Sequence, residues 1–206
     1  MTETTLRFRR DVPAVGELCI RPLCLAAHAA CVHHWLASDH ARFWGMQSLN
    51  AAAVASYLAD IETSATRAGL VGLHQGSPAF YIETYDPAAE PPLARVHEAA
   101  RGDRGMHILI APPSRPIHGF TWAVFALTMD YLFADPRVER VVVEPDIANR
   151  GIHALNRRAG FVYHRQIELP DKTAWLATCT REAHARAMKQ LDPAMARLAA
   201  RHEASA

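Results

Sequence analysis

GDRGMHILIAPP, residues 102–113, is the stretch on which the reading of this chain turns. Residues 106–111 are apolar and strand-like, with a histidine in second place, and the run stops at Pro112-Pro113. Strand alternation puts Met106, Ile108 and Ile110 on one face and His107, Leu109 and Ala111 on the other. Two readings of His107 are open. It is either a core histidine bonded to a backbone carbonyl, or a base facing a cleft beside the strand. Proline brings no N–H, so the Pro112-Pro113 pair predicts a strand that stops pairing there and opens.

The neighbouring segments build a unit around this strand. Residues 118–134 read as a helix that ends before Pro136. Residues 138–146 read as a valine-rich strand buried on both faces. Residues 149–161 read as a helix stopped by Gly160. A strand, a helix and a second strand in that order predict a parallel βαβ unit over 105–146, with the site at the carboxyl ends of its strands. His107 lies on the first strand, and Asp146 follows the second.

Farther out, strands are expected at 6–10 and 17–23, and a helix at 26–38. A second helix is expected at 50–69, begun near Asn50 and closed by Gly69. Strands at 70–76 and 79–85, joined through Gly76-Ser77-Pro78, are followed by a loop at 86–92. Strands at 161–169 and 172–180 and a C-terminal helix or tail over 181–206 complete the chain. The expected fold class is α/β in a single domain spanning 1–206.

Composition narrows the function. The chain has 206 residues, half of them apolar, which suffices for one sizeable core. A formal net charge of +1 makes neither nucleic acid nor an anionic membrane surface an expected partner. No apolar run approaches a membrane span, and the polar N-terminus does not read as a signal peptide. The four cysteines form no CxxC pair, and a reduced, cytoplasmic protein is expected. The twelve histidines include no HExxH spacing, so no metal site is expected.

The run from residue 105 through NRGIHALNRRAGF (149–161) resembles the core of the GCN5-related N-acetyltransferase (GNAT) superfamily. Asn149, Leu155, Gly160 and Phe161 stand where its N-x-x-A-x-x-L-Y-x-x-x-G-F pattern has them. Asn156 replaces the usual tyrosine, often the general acid to the leaving thiolate. SRPIHGF (114–120) replaces the usual glycine-rich phosphate loop, keeping only Gly119 of its glycines. A narrower resemblance, over about 17–180, is to the acyltransferases of hydroxamate siderophore biosynthesis, which act on hydroxylysine, lysine or diamine substrates. The segments that carry it are GDRGMHILIAPPSRPIHGFT, FADPRVERVVVEPDIANRGIHALN and DKTAWLATCT, with VHHWLASDHARFWGM (32–46) and FYIETYD (80–86).

The resemblance implies a mixed central sheet splayed between two parallel strands and flanked by helices. It implies acyl-CoA, either acetyl-CoA or succinyl-CoA, as co-substrate, with His107 as the base and Asp146 as its partner. It places coenzyme A on Arg115, His118, Gly119, Phe120 and Thr121, where a helix N-terminus offers free N–H groups to a pyrophosphate. Asn149 and Asn156 join that set. Trp35, Trp44 and Tyr81 are expected to wall the acceptor's alkyl chain, with Glu83 or Asp86 meeting its distal ammonium. Lys172 and Trp175 either shape the channel or belong to an ordinary hairpin. The activity implied is N-acylation of an N-hydroxylated diamine or hydroxylysine for a hydroxamate siderophore. The alternatives are a non-catalytic acyl-CoA-binding or partner-binding domain on the same scaffold, and an acetyltransferase for another small amine. Oligomeric state is left open.

Overall fold

The computed structural model describes residues 8–190. One eight-stranded sheet runs through it in the order β1-β2-β3-β4-β5-β6-β8-β7. β1 (Phe8–Val12), β2 (Gly16–Pro22), β3 (Arg67–His74), β4 (Ser77–Tyr85) and β5 (Asp103–Ile110) form an antiparallel meander. β6 (Arg140–Val143) pairs parallel to β5, and β8 (Lys172–Thr180) and β7 (Val162–Leu169) continue antiparallel. The expected α/β class and the parallel β5–β6 unit are what the chain adopts.

Helices cover both faces. α1 (Leu25–Leu36) and α2 (Ala51–Thr63) lie on one, where Val32, Trp35, Leu36, Val54 and Leu58 pack with Leu109 of β5. The crossover helix α4 (Phe120–Ala134) lies on the other and is buried almost throughout. It carries Val124 and Leu127 against Phe80 and Ile82, and Phe125 and Met129 against Met106 and Val141. Met106, Ile108 and Ile110 thus face α4 while Leu109 faces α1 and α2, as alternation requires. A short helix, α3 (Pro91–Ala94), buries Leu93 beside Tyr85 and Val142. α5 (Arg150–Ala159) is begun by the Asn149 side chain, which accepts from Ile152 N–H. Residues 181–190 form the helix α6. The expected first residues of β1 and the C-terminal tail lie partly outside the described residues.

Three boundaries differ from expectation by three residues or more. α2 ends at Thr63 rather than at Gly69, and β3 starts at Arg67. The Ser64 hydroxyl accepts from the N–H groups of Thr66 and Arg67, and this turn redirects the chain into the sheet. β6 stops at Val143 instead of running to residue 146, because Pro145 has no N–H to continue a ladder. Asp146 makes only an isolated bridge to Ala174.

The β5–β6 ladder holds for three pairs, the last being Gly105 with Val142. β5 then stays with β4 as far as Ile110, while β6 stays with β8. The sheet therefore opens at Gly105, well before the prolines, and Pro112-Pro113 mark only the end of β5. Gly105 sits under the Tyr85 ring, and a Cβ there would lie 2.0 Å from it. Gly105→Ala is expected to cost about 1–3 kcal/mol by overpacking, or more if Tyr85 is driven off its partners. A thermal melt checks this; an unchanged midpoint would show that the ring yields freely.

Candidate active site

The opening between β5 and β6 forms a cleft of about 600 Å³ that reaches both faces of the sheet. On the α4 side its walls include Thr121, Phe125, Asn149, Ile152, Leu155 and Asn156. On the other side they include His40, Arg42, Phe43, Trp44, Tyr57 and Lys172. Along the floor runs β5, from Met106 to Ile110. The Ala111 N–H donates to Ala79 C=O, which fixes the phase of the antiparallel ladder. His107 and Leu109 therefore turn their backbone groups toward β4. Ile108 and Ile110 turn theirs across the gap, where β6 has already left.

His107 projects from β5 to the α1–α2 side and is 42% exposed, through the cleft. Two carboxylates bracket the ring. Glu144, just past β6, lies 3.1 Å from Nε2, and Glu83, opposite His107 in the β4 register, lies 3.6 Å from Nδ1. Trp44 stands edge-on to the imidazole at 5.8 Å between centroids, and the Tyr85 ring is tilted against it at 4.9 Å.

Both carboxylates are buried and held by phenols. Tyr57 Oη donates to Glu83 at 2.6 and 2.7 Å to its two oxygens, and Tyr81 Oη donates at 3.0 Å. Tyr85 Oη donates to Glu144 at 2.8 Å, and Lys172 Nζ stands 3.9 Å from it. Burial together with the neighbouring carboxylates pushes all three phenols up, so they remain O–H donors. Burial alone would lower the His107 pKa, but the hydrogen bond to Glu144 and the negative charges of Glu144 and Glu83 raise it to about 9. Burial would raise the Glu144 carboxyl, yet the His107 bond and charge, Lys172 and Tyr85 hold it below its usual range.

The geometry sorts the residues singled out in the sequence. Glu144, not Asp146, is the carboxylate bonded to His107. Asp146 lines the cleft, but its Oδ1 accepts from Ala148 N–H in the turn leading to α5. Two residues past Glu144 and beyond Pro145, the chain has left the sheet, which takes Asp146 out of that place. Glu83 is 3% exposed, accepts from the Tyr57 and Tyr81 hydroxyls and faces the imidazole, so its carboxylate is not presented to the cleft as a free anion. Asp86 caps its own turn through Ala88 N–H. Trp35 and Tyr81 are buried and stand outside the cleft lining, because their faces pack under α1 and α2; Trp44 does line it.

Of the expected coenzyme A residues, Thr121, Asn149 and Asn156 line the cleft. Arg115, His118 and Gly119 are exposed in the loop before α4. Gly119 takes φ +78° as the N-cap, a conformation that favours glycine. The Phe120 ring packs against His74 instead of facing the cleft, which leaves only its backbone for a ligand. Trp175 packs on Tyr163. Sequence reading missed Glu144 as the His107 partner, and Tyr57 altogether. Glu144 shares strand parity with Asp146, a signal that admits both. Tyr57 reaches Glu83 from a separate helix, which no local pattern announces.

A family model described as an acetyltransferase (GNAT) domain matches residues 24–169, well over half of the chain. The chain is 26% identical over 148 residues to the N(6)-hydroxylysine O-acetyltransferase of Escherichia coli, a match covering 71% of this chain. It spans about half of that relative's length (47%). Among solved structures, an uncharacterized protein from Bacillus halodurans superposes with a TM-score of 0.80 at 22% identity, over 89% of this chain and 94% of that one. The aminoglycoside acetyltransferase AAC(6')-Ib, solved in complex with coenzyme A, superposes with a TM-score of 0.67 at 24% identity, over 82% and 98%. These likenesses are of fold. No helix among the described residues is long and apolar enough to cross a membrane.

Proposed function

This chain belongs to the acetyltransferase (GNAT) domain family, and on that premise we propose that it is an acyl-CoA-dependent N-acyltransferase whose acceptor is an N-hydroxylated amine, hydroxylysine or a hydroxydiamine. The observation that carries the reading is the cleft open to both faces of the sheet, with His107 bracketed by two buried carboxylates on one side. The family match supports acyl transfer from acyl-CoA, and the 26% likeness to a hydroxylysine acetyltransferase is what suggests the substrate class. Formation of a hydroxamate for a siderophore follows from that class.

Each side of the cleft has its task. Ile108 and Ile110 offer the acyl-CoA arm backbone groups that β6 leaves unpaired. The N-terminus of α4, with Arg115 and His118 in the loop before it, offers the diphosphate N–H groups and positive charge. The acceptor enters from the opposite side, past Trp44 and Phe43. Arg42 and Lys172 at this mouth suit a reactant that carries a carboxylate, either hydroxylysine itself or a succinyl group.

An N-hydroxyamine is largely neutral near pH 7, so the base has only to take the proton released by attack. Glu144, at 3.1 Å, holds the hydrogen on Nε2, and Nδ1, which faces Glu83 at 3.6 Å without a hydrogen bond, is the basic nitrogen of neutral His107, where the Glu83 charge favours arrival of a proton. Attack forms the N–C bond, the N–H proton passes to Nδ1, and the C–S bond breaks. The imidazolium then protonates the leaving thiolate, so one ring serves as base and then as acid. Asn156, at the position where related enzymes carry a tyrosine, has no acidic proton for this step. Asp146 stays in this proposal as a cleft-lining residue that sets the turn into α5.

The test is a thiol-release assay crossing acetyl-CoA and succinyl-CoA with hydroxylysine, hydroxyputrescine and hydroxycadaverine, and with the parent amines. The hydroxylated acceptors are expected to exceed their parent amines by at least about tenfold at pH 7, since a parent amine is almost wholly protonated there. Turnover of parent amines alone would move the protein to the small-amine acetyltransferases. Acyl-CoA binding with no turnover of any acceptor would make it a binding domain.

A further inference from the structure

Glu83 and Glu144 stand on either side of the His107 ring, yet only Glu144 bonds it. The unequal distances, 3.1 Å to Nε2 and 3.6 Å to Nδ1, have a visible cause on the Glu83 side. Tyr57 Oη lies across the Glu83 fork, 2.6 Å from Oε1 and 2.7 Å from Oε2. Tyr81 Oη reaches only Oε1, at 3.0 Å. Among the described residues, Oε2, the oxygen that faces Nδ1, therefore has Tyr57 as its one hydrogen-bond donor. A charge-assisted N–H···O bond closes at about 2.8 Å, so a shift of about 0.8 Å would bring Oε2 onto Nδ1. Tyr57 resists that shift from α2, whose Val54 and Leu58 are buried in the core. Burial and the Glu83 charge push its hydroxyl up, so it stays a donor.

We infer that Tyr57 is a positioning residue: by holding both oxygens of Glu83 it keeps that carboxylate from bonding Nδ1, and so leaves this nitrogen open to the acceptor's proton. This rests on the reading of His107 as the base. Glu83 then stands near enough for its charge to favour a proton on Nδ1, and too far to occupy the nitrogen itself. Without the tether, carboxylates would grip both ring nitrogens. The imidazolium would be favoured further, and the hydrogen of the neutral ring would turn in part to Nδ1, where the acceptor needs a lone pair. Other charged groups meet the pair from elsewhere. Glu144, with Tyr85 and Lys172 on it, faces Nε2. Arg67 on β3, whose charge acts on Glu83, is bonded to Glu90. His40, Arg42, Asp146 and Asp171 line the wider cleft. Tyr57→Phe removes none of these and keeps the ring that packs there.

An NMR titration of the imidazole nitrogens in the free protein reads both the ring pKa and the tautomer, with no substrate present. The chain has twelve histidines, so the His107 signals are assigned as those lost in His107→Gln. Tyr57→Phe should raise the ring pKa by about one unit, the worth of one hydrogen bond to a charged group, and shift part of the neutral ring's hydrogen from Nε2 to Nδ1. kcat/KM for acetyl-CoA with the fastest acceptor of the panel above should fall about tenfold at pH 7, since below its inflection it follows the neutral fraction, and the inflection should move to higher pH. Adding Glu83→Gln to Tyr57→Phe should abolish the rise, because the capturing charge is gone. Tyr81→Phe loosens the same carboxylate at one oxygen and should raise the pKa by less; it decides the matter should Tyr57→Phe fail to fold. An unchanged or lowered ring pKa with the wild-type tautomer would overturn the inference alone, whatever the rate or melting temperature does, and leave Tyr57 as packing. A ring pKa that rises while the kinetic inflection stays in place would overturn the reading of His107 as the base, and this inference with it.

Discussion

His107→Gln should lose about 10²–10⁴-fold in turnover while binding acyl-CoA as before, since that is the usual worth of a positioned general base. Glutamine still offers an N–H to Glu144 and leaves the ligand-facing backbone of Ile108 and Ile110 in place. Alanine is a poorer probe. It would strand Glu83 and Glu144, both buried, without the cation between them, and breaking such a pairing is strongly destabilising. His107→Ala is therefore expected to melt early as well as turn over slowly. Single-turnover rates on folded His107→Gln, beside its dissociation constant for acetyl-CoA, give the answer. An intact rate per folded molecule would end the proton-transfer role and return His107 to a structural one.

Glu144→Gln should change the pH dependence as much as the rate. In the wild type the His107 pKa is raised to about 9, so the neutral ring accumulates as pH rises through that value. kcat/KM should climb with pH and level off near there. Replacing the Glu144 carboxylate by an amide removes the strongest support for the imidazolium, and the inflection should move down toward the ordinary 6.5. The plateau should fall on the order of 10–100-fold, because the ring loses the partner that fixes its Nε2–H. The deficit should therefore be larger at pH 9 than at pH 7. Stability follows the same linkage. A raised histidine pKa contributes stability that is complete below 6.5 and is lost as pH rises through about 9. The depressed Glu144 contributes above 4.5 and loses its share as pH falls through its folded value. The variant should lose the alkaline decline. A rate that falls rather than rises through pH 9 would make the imidazolium an acid only. Asp146→Asn should leave the inflection where it is.

Local chemistry carried much of this in the sequence. Alternation along residues 106–111 assigned the two faces of β5, since a strand buried on both sides admits no other arrangement. Asn149 and Gly160 bounded α5 through their capping geometry. What escaped was set by distance along the chain. The opening of the sheet at Gly105 depends on where β6 turns aside, 37 residues later in the register pair with Val142, and the prolines after β5 were a misleading local cue. The choice between Glu144 and Asp146 depends on one proline and a bridge to β8. The Tyr57–Glu83 contact joins residues 26 apart on different elements.

The phase of the β4–β5 ladder has a consequence for amide exchange. Along a single strand, the amide hydrogens of His107 and Leu109 are shielded between two strands, while those of Ile108 and Ile110 open onto the cleft. In the free protein, deuterium should enter β5 at every second residue, a sawtooth instead of the even protection of an internal strand. A ligand whose amides complete the missing ladder would flatten that sawtooth. The flattening would be legible residue by residue before any acceptor has been identified, and it would show that, for its exchange behaviour, the sheet treats acyl-CoA as a ninth strand.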